Sequence, residues 1–125
     1  MSALAWGAVF VGGGLGSAAR YALGRLAVDA GQAAYFGTLA ANLVACVLLG
    51  YLALSPARAG DPPAARLLLA TGFCGGFSTF STFSLEALAL YGAGRQGLAL
   101  GYVAASVALG VASVWLGGRL GSLGG

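Results

Sequence analysis

The chain contains no histidine and no lysine, and its 125 residues include three carboxylates, Asp29, Asp61 and Glu86. That inventory holds no acidic cluster, metal-ligand set or nucleophile beside a base, so no reaction has its constellation and the sequence predicts no enzyme. The basic side chains are six arginines, thinly spread, for a formal charge of +3. They build no patch or stripe, which excludes nucleic acid as a partner. The two cysteines, Cys46 and Cys74, both fall in apolar runs. Two isolated thiols without histidine make no metal site, and each is read as a small buried side chain.

Apolar surface is what the chain has in abundance. Hydrophobic residues make up 59% of it and charged residues 7%, against about a quarter charged in a soluble domain, and the mean hydropathy is +0.91. The 23 glycines suit close helix packing in lipid, and the length allows one domain. Charges divide the chain into four predicted membrane helices, at about residues 3–27, 34–54, 66–91 and 96–119, so the expected fold class is an all-α membrane protein. The first span has no basic segment ahead of it and no convincing cleavage site, and is read as a retained helix and not a signal peptide. Its Gly12-Gly13-Gly14 run lacks the Lys-Ser or Lys-Thr of a phosphate loop. The spacing of Gly12 with Gly16, and of Gly13 with Ser17, instead lets another backbone approach closely. Pro56, Asp61, Pro62 and Pro63 mark a turn, and the glycine-rich tail from Gly117 to Gly125 is expected to fray.

Four spans put both termini on one side of a membrane, with Arg58, Arg66 and Arg119; Arg20, Arg25 and Arg95 fall opposite. Orientation follows the arginine and lysine excess of short loops. A balanced chain is therefore free to insert both ways, and two oppositely oriented copies can pair as an antiparallel dimer. Four short helices also enclose little space alone, which favours an oligomer.

One apolar segment is dense in hydroxyls. Phe77-Ser78-Thr79-Phe80-Ser81-Thr82-Phe83-Ser84 repeats with period three, which on a helix sets Phe77, Phe80 and Phe83 along a slanted seam beside serine and threonine. Ahead of it, Gly75-Gly76 lowers helix propensity by about 1 kcal/mol per glycine relative to alanine, which predicts an interruption there. A broken helix at membrane depth must turn its freed carbonyls and amides to protein, water or an ion. In the second span the strongly polar residue is Asn42, with Thr38 one turn earlier on its face; an interhelical hydrogen bond and pore lining both fit it. In the last span Tyr102, Ser106 and Ser113 lie close to one face, where serines commonly bond back to their own helix. Phenyl edges with hydroxyl and amide hydrogens suit a small anion, and no carboxylate lies mid-span to repel it. Glu86, near the end of its segment, is read as an interfacial carboxylate.

These motifs resemble the fluoride channels of the Fluc (CrcB) family. The resemblance is chain-wide. It is carried by Gly12-Gly13-Gly14-Leu15-Gly16-Ser17-Ala18-Ala19-Arg20-Tyr21, by Gly37-Thr38-Leu39-Ala40-Ala41-Asn42 and, most specifically, by Gly72-Phe73-Cys74-Gly75-Gly76 with the repeat and Glu86. It implies four-helix subunits with a broken third helix, paired as an antiparallel, dual-topology dimer in the bacterial plasma membrane and exporting fluoride passively through two pores. It also implies a structural sodium ion at the dimer centre, held by main-chain carbonyls of Gly75 and Ser78. By the same resemblance Phe80 and Phe83 are pore phenylalanines, Asn42 is the polar pore residue, and Tyr102 and Ser106 begin a polar track. Thr38, Ser81 and Thr82 join the pore set, and Arg20 and Glu86 are structural or vestibule residues.

Two positions depart from the family pattern. Gly110 stands where a serine or threonine commonly forms the next turn of the track, and admits water in place of a hydroxyl; Ser78 stands where threonine is usual. Some family members work only as heterodimers, so the partner is a second copy of this chain or a paired homologue. The alternative reading is a small dual-topology multidrug or cation exporter, which needs a membrane-embedded carboxylate in its first helix; this chain has none there. A purely structural membrane subunit leaves the hydroxyl-rich repeat without a role.

Overall fold

The computed structural model describes residues 2–124, which are helical almost throughout and, among those described, include no strand. Helix α1 (Ala3–Asp29) opens on Ser2, whose hydroxyl accepts from the Ala5 amide, and closes at Gly31. There a φ of +79° favours glycine, and Gln32 N–H reaches back to the Ala27 carbonyl at 2.9 Å, satisfying an orphan at the helix end. Helix α2 (Ala34–Leu54) is followed by a short 3₁₀ turn (Pro56–Arg58). Helix α3 takes in residues 63–77; it starts on Pro63, where a missing N–H leaves nothing unpaired, and passes through π-helical turns over Leu67–Cys74. Helix α4 (Phe80–Gly92) ends with the device used by α1, Gly94 at φ +80° and Arg95 N–H on the Leu90 carbonyl. Helix α5 is Gln96–Leu123. By length and composition α2 and α5 can each cross a bilayer.

The most extensive packing is of α5 along α2 and of α1 along α3. Both pairs meet backbone to backbone. A Cβ on Gly50 would strike the Val114 carbonyl, one on Gly12 the Leu68 carbonyl, and one on Gly16 the Phe73 carbonyl. The Gly12–Gly16 spacing thus serves contact with α3. In lipid, where apolar side chains gain little by burying one another, such close approach holds helices together. The core is correspondingly small, formed by Ala41, Ala45 and Phe77 with Ala19, Leu23 and Phe73 beside it, while Leu4, Phe10 and Leu85 lie outside.

The structure departs from the sequence expectation at three places here. Gly75 and Gly76 are helical, because a Cβ on Gly76 would strike the Gly13 carbonyl and its absence serves packing. The helical run stops instead at Ser78 and Thr79, both extended, with ψ of 157° and 120°. That stop cuts the phenylalanine seam: Phe77 is buried and stacked on Phe73 with centroids 5.5 Å apart, whereas Phe80 and Phe83 belong to α4. Finally, Gly117 to Leu123 do not fray. Gly117, Gly118 and Gly121 are buried against Val47, Leu54 and Ser55, and the Ser55 hydroxyl donates to the Gly121 carbonyl at 3.3 Å. Gly125 lies outside the described residues.

Candidate functional site

A chain that leaves one helix at Phe77 and enters another at Phe80 strips amides and carbonyls of their partners. Ser78 closes α3, its N–H and its hydroxyl both donating to the Cys74 carbonyl at 3.0 and 2.8 Å. Thr79 caps α4, its hydroxyl accepting from Thr82 N–H at 3.2 Å. Asn42 reaches across from α2 to fill the gap. Thr79 N–H donates to Asn42 Oδ1 at 2.7 Å, and Asn42 Nδ2 donates to the Thr79 carbonyl at 3.1 Å. The Gly76 carbonyl receives Arg20 Nε at 3.1 Å and the Ser17 hydroxyl at 3.5 Å. Arg20 therefore sits inside α1, within the expected span 3–27, with its guanidinium on the end of α3.

Among the carbonyls that lose their helical donors at this junction are those of Gly75 and Ser78. In a continuous helix Gly75 and Ser78 would receive from the amides of Thr79 and Thr82, but those amides have gone to Asn42 and to the Thr79 hydroxyl. Gly75 is exposed, with open space where its Cβ would be.

Beside the junction a cleft of about 250 Å³ is lined by Asn42, Ser78, Phe80, Phe83, Ser106 and, from positions the sequence reading left out of the candidate set, Cys46; Gly110 forms part of its wall. Phe80 is 80% exposed and Phe83 8%. Their rings are 5.7 Å apart, and Phe83 meets Tyr102 edge to face at 5.1 Å. Ser106 does not bond back to its helix; its hydroxyl oxygen is buried and has no partner among the described residues. Such an atom is costly unless something polar reaches it.

A second cleft, of about 260 Å³, gathers Arg20, Arg25, Thr38, Thr82 and Glu86. Glu86, read from the sequence as an interfacial carboxylate, has partners on two other helices. It is half-buried and accepts from the Thr38 hydroxyl at 2.8 Å and the Tyr102 hydroxyl at 2.7 Å, one on each oxygen. Both hydroxyls thus spend their hydrogens on Glu86. In the first cleft the donors left for an anion include the second Nδ2 hydrogen of Asn42, the Ser106 hydroxyl, the weak Cys46 thiol and the phenyl edges. Ser81 stands apart: it is exposed, 3.4 Å from the Thr79 hydroxyl, and lines neither cleft. Cys46 and Ser17 could have been found by spacing, since they lie four residues after Asn42 and three before Arg20, on the same helix faces.

The family described as CrcB-like protein, Camphor Resistance (CrcB), matches residues 7–118. The chain is 47% identical over 112 residues to a protein of Novosphingobium aromaticivorans named "Fluoride-specific ion channel FluC", covering 87% of this chain and 89% of that one. A Gloeobacter violaceus protein of the same name is 45% identical over 111 residues, with the same two shares. A "Fluoride-specific ion channel FluC 1" of Bradyrhizobium diazoefficiens is 40% identical over 119 residues, 93% of this chain and 83% of the other.

Proposed function

The chain belongs to the CrcB family, and from that footing we propose that it is a fluoride channel, not an enzyme, through which the ion leaves the cell passively by way of the Asn42–Phe80–Phe83–Ser106 cleft. The observation that carries this reading is the buried Ser106 hydroxyl, without a partner among the described residues, in a cleft that also presents the Asn42 amide, Ser78, Thr79 and two phenyl rings. A dehydrated anion finds positive partners there and no carboxylate on the wall. A cation exporter would work through an open carboxylate in its first helix. In α1 the acid is Asp29, at the last residue and paired with Arg25 at 3.2 Å, while both Glu86 oxygens are occupied.

Assembly follows the same reading. The helices α3 and α4 are two halves of one membrane span, which gives four spans per subunit in a bacterial plasma membrane, and two antiparallel copies give two pores. With the Arg20 guanidinium held on the Gly76 carbonyl, the arginines near the span ends stand at Arg58, Arg66 and Arg119 against Arg25 and Arg95, still close to balance and consistent with insertion both ways. Reporters fused to one terminus of the unaltered chain are expected on both sides of the membrane; a single fixed side would sink dual topology.

A structural sodium ion fits the junction chemistry. The Gly75 and Ser78 carbonyls have lost their helical amides, and two copies related by a two-fold axis offer the pair twice. Carbonyl oxygens of this kind replace the hydration shell of a monovalent cation; bound there, the ion supplies a fixed positive charge that joins the subunits. Liposomes containing the protein alone are expected to release fluoride with no proton gradient. Replacing sodium by a large organic cation should slow that release gradually, as dimers are lost, without moving the reversal potential. Release that requires a proton gradient would overturn the channel, and a shifted reversal potential would overturn the structural role of sodium.

A further inference from the structure

We propose that Cys46 is a wall residue of the ion path, its thiol standing in for the polar side chain that Gly110 does not provide. The inference rests on reading the Asn42–Ser106 cleft as the pathway. Tyr102, Ser106 and Gly110 recur at four-residue intervals along α5, hence on one face. The first directs its hydroxyl to Glu86, the second holds a buried hydroxyl with no partner, and the third brings no side chain at all. An ion passing Ser106 toward Gly110 would meet bare backbone, were it not for the helix opposite.

That helix supplies Cys46. It lies one turn beyond Asn42 on α2, lines the same cleft, and carries a free thiol. The nearest side-chain or distant backbone atom to a Cβ built on Gly110 is Cys46 Sγ, at 3.8 Å, so the thiol covers the space where a residue-110 side chain would stand. Packing does not demand glycine here. Gly50 and Gly117, in the same pair of helices, press on backbone carbonyls, whereas Gly110 touches only that sulfur and at ordinary contact distance. The gap over Gly110 is therefore room along the path, flanked by a weak S–H donor in line with Asn42 from α2 and across from Ser106. Cys74 is different: it is 3% exposed and lines only the neighbouring cleft, beside Gly75 and Ser78.

The experiment is fluoride release from liposomes, with gel filtration for each variant. Cys46→Ala is expected to lower release about threefold, the effect of one weak hydrogen bond, and Cys46→Ser to match or exceed the parent. Gly110→Ser alone is expected to raise release about twofold, within the range of one weak added hydrogen bond. In the Cys46→Ala background it should restore parental release, a rescue that a packing role for Cys46 would not give. Leu4→Val, at an outward-facing position of α1 far from the cleft, is the control that leaves release unchanged. Should Cys46→Ala fail to assemble, Cys46→Ser and Gly110→Ser carry the test. If Gly110→Ser neither raises release nor rescues Cys46→Ala, while Asn42→Asp and Phe80→Ile still stop conduction, the inference about Cys46 falls and the pathway stands. If Asn42→Asp and Phe80→Ile conduct like the parent, the pathway reading falls and takes Cys46 with it.

Discussion

Asn42→Asp is expected to reduce fluoride release about a hundredfold, from about 3 kcal/mol for a carboxylate at membrane depth, while the protein still elutes as a dimer. The side chain has two jobs, and substitution separates them. Aspartate keeps an oxygen for the Thr79 amide, now as a charge-assisted bond, but sets its other oxygen against the Thr79 carbonyl in place of Nδ2. Asn42→Ala abandons both groups, at about 1 to 3 kcal/mol for each polar group left buried, yet puts no charge on the path. The two properties should therefore rank differently. Thermal stability should fall in the order Asn, Asp, Ala, and flux in the order Asn, Ala, Asp. If both measurements rank the variants alike, Asn42 is a clamp on the Ser78–Thr79 junction and not a wall of the pore.

The second large effect is expected at the two phenylalanines, whose exposure differs tenfold. Replacement by isoleucine keeps most of the volume and apolarity and removes the positive ring edge that an anion would meet. Phe80 is 80% exposed in the subunit, so Phe80→Ile should leave the folded subunit's stability unchanged while cutting flux at least about tenfold, the equivalent of one aromatic contact of about 1.4 kcal/mol. Phe83 is packed edge to face on Tyr102. Phe83→Ile should lose flux to a similar extent and also lower the melting temperature, because that aromatic pair goes with the ring. Methionine at either position should fall between, since its polarizable thioether partly replaces the ring edge. Thermal melts beside efflux measurements decide the matter: two isoleucine variants that conduct like the parent would make both rings packing.

The helical spans were legible because charges and prolines punctuate a chain that is otherwise apolar, and periodicity needed little help from tertiary contacts. The position of the junction was not. Propensity pointed to Gly75-Gly76, but the gain from Gly76 lying against Gly13 exceeds about 1 kcal/mol of propensity, and the chain instead stops where two short hydroxyl side chains can bond their own backbone. Asn42 stays open between two roles in the sequence because one amide can do both; the Thr79 bonds realise the interhelical one, and pore lining belongs to the proposal. The partners of Glu86 are not legible in the sequence. Thr38 and Tyr102 come to it from α2 and α5, a convergence that no local pattern encodes. Arg20 falls inside the first span, and its spacing from Ser17 puts both on one face of α1.

The backbone-to-backbone seams invert the usual map of mutational tolerance. In most proteins the bulky interior positions resist change and small ones drift; here the contacts of Gly12, Gly16, Gly50 and Gly117 with facing carbonyls leave no room for even a methyl group. Leu4, Phe10 and Leu85, which look outward, can exchange for any apolar side chain that lipid accepts. Over long divergence, descendants of this sequence should keep their smallest residues in place and shuffle their largest.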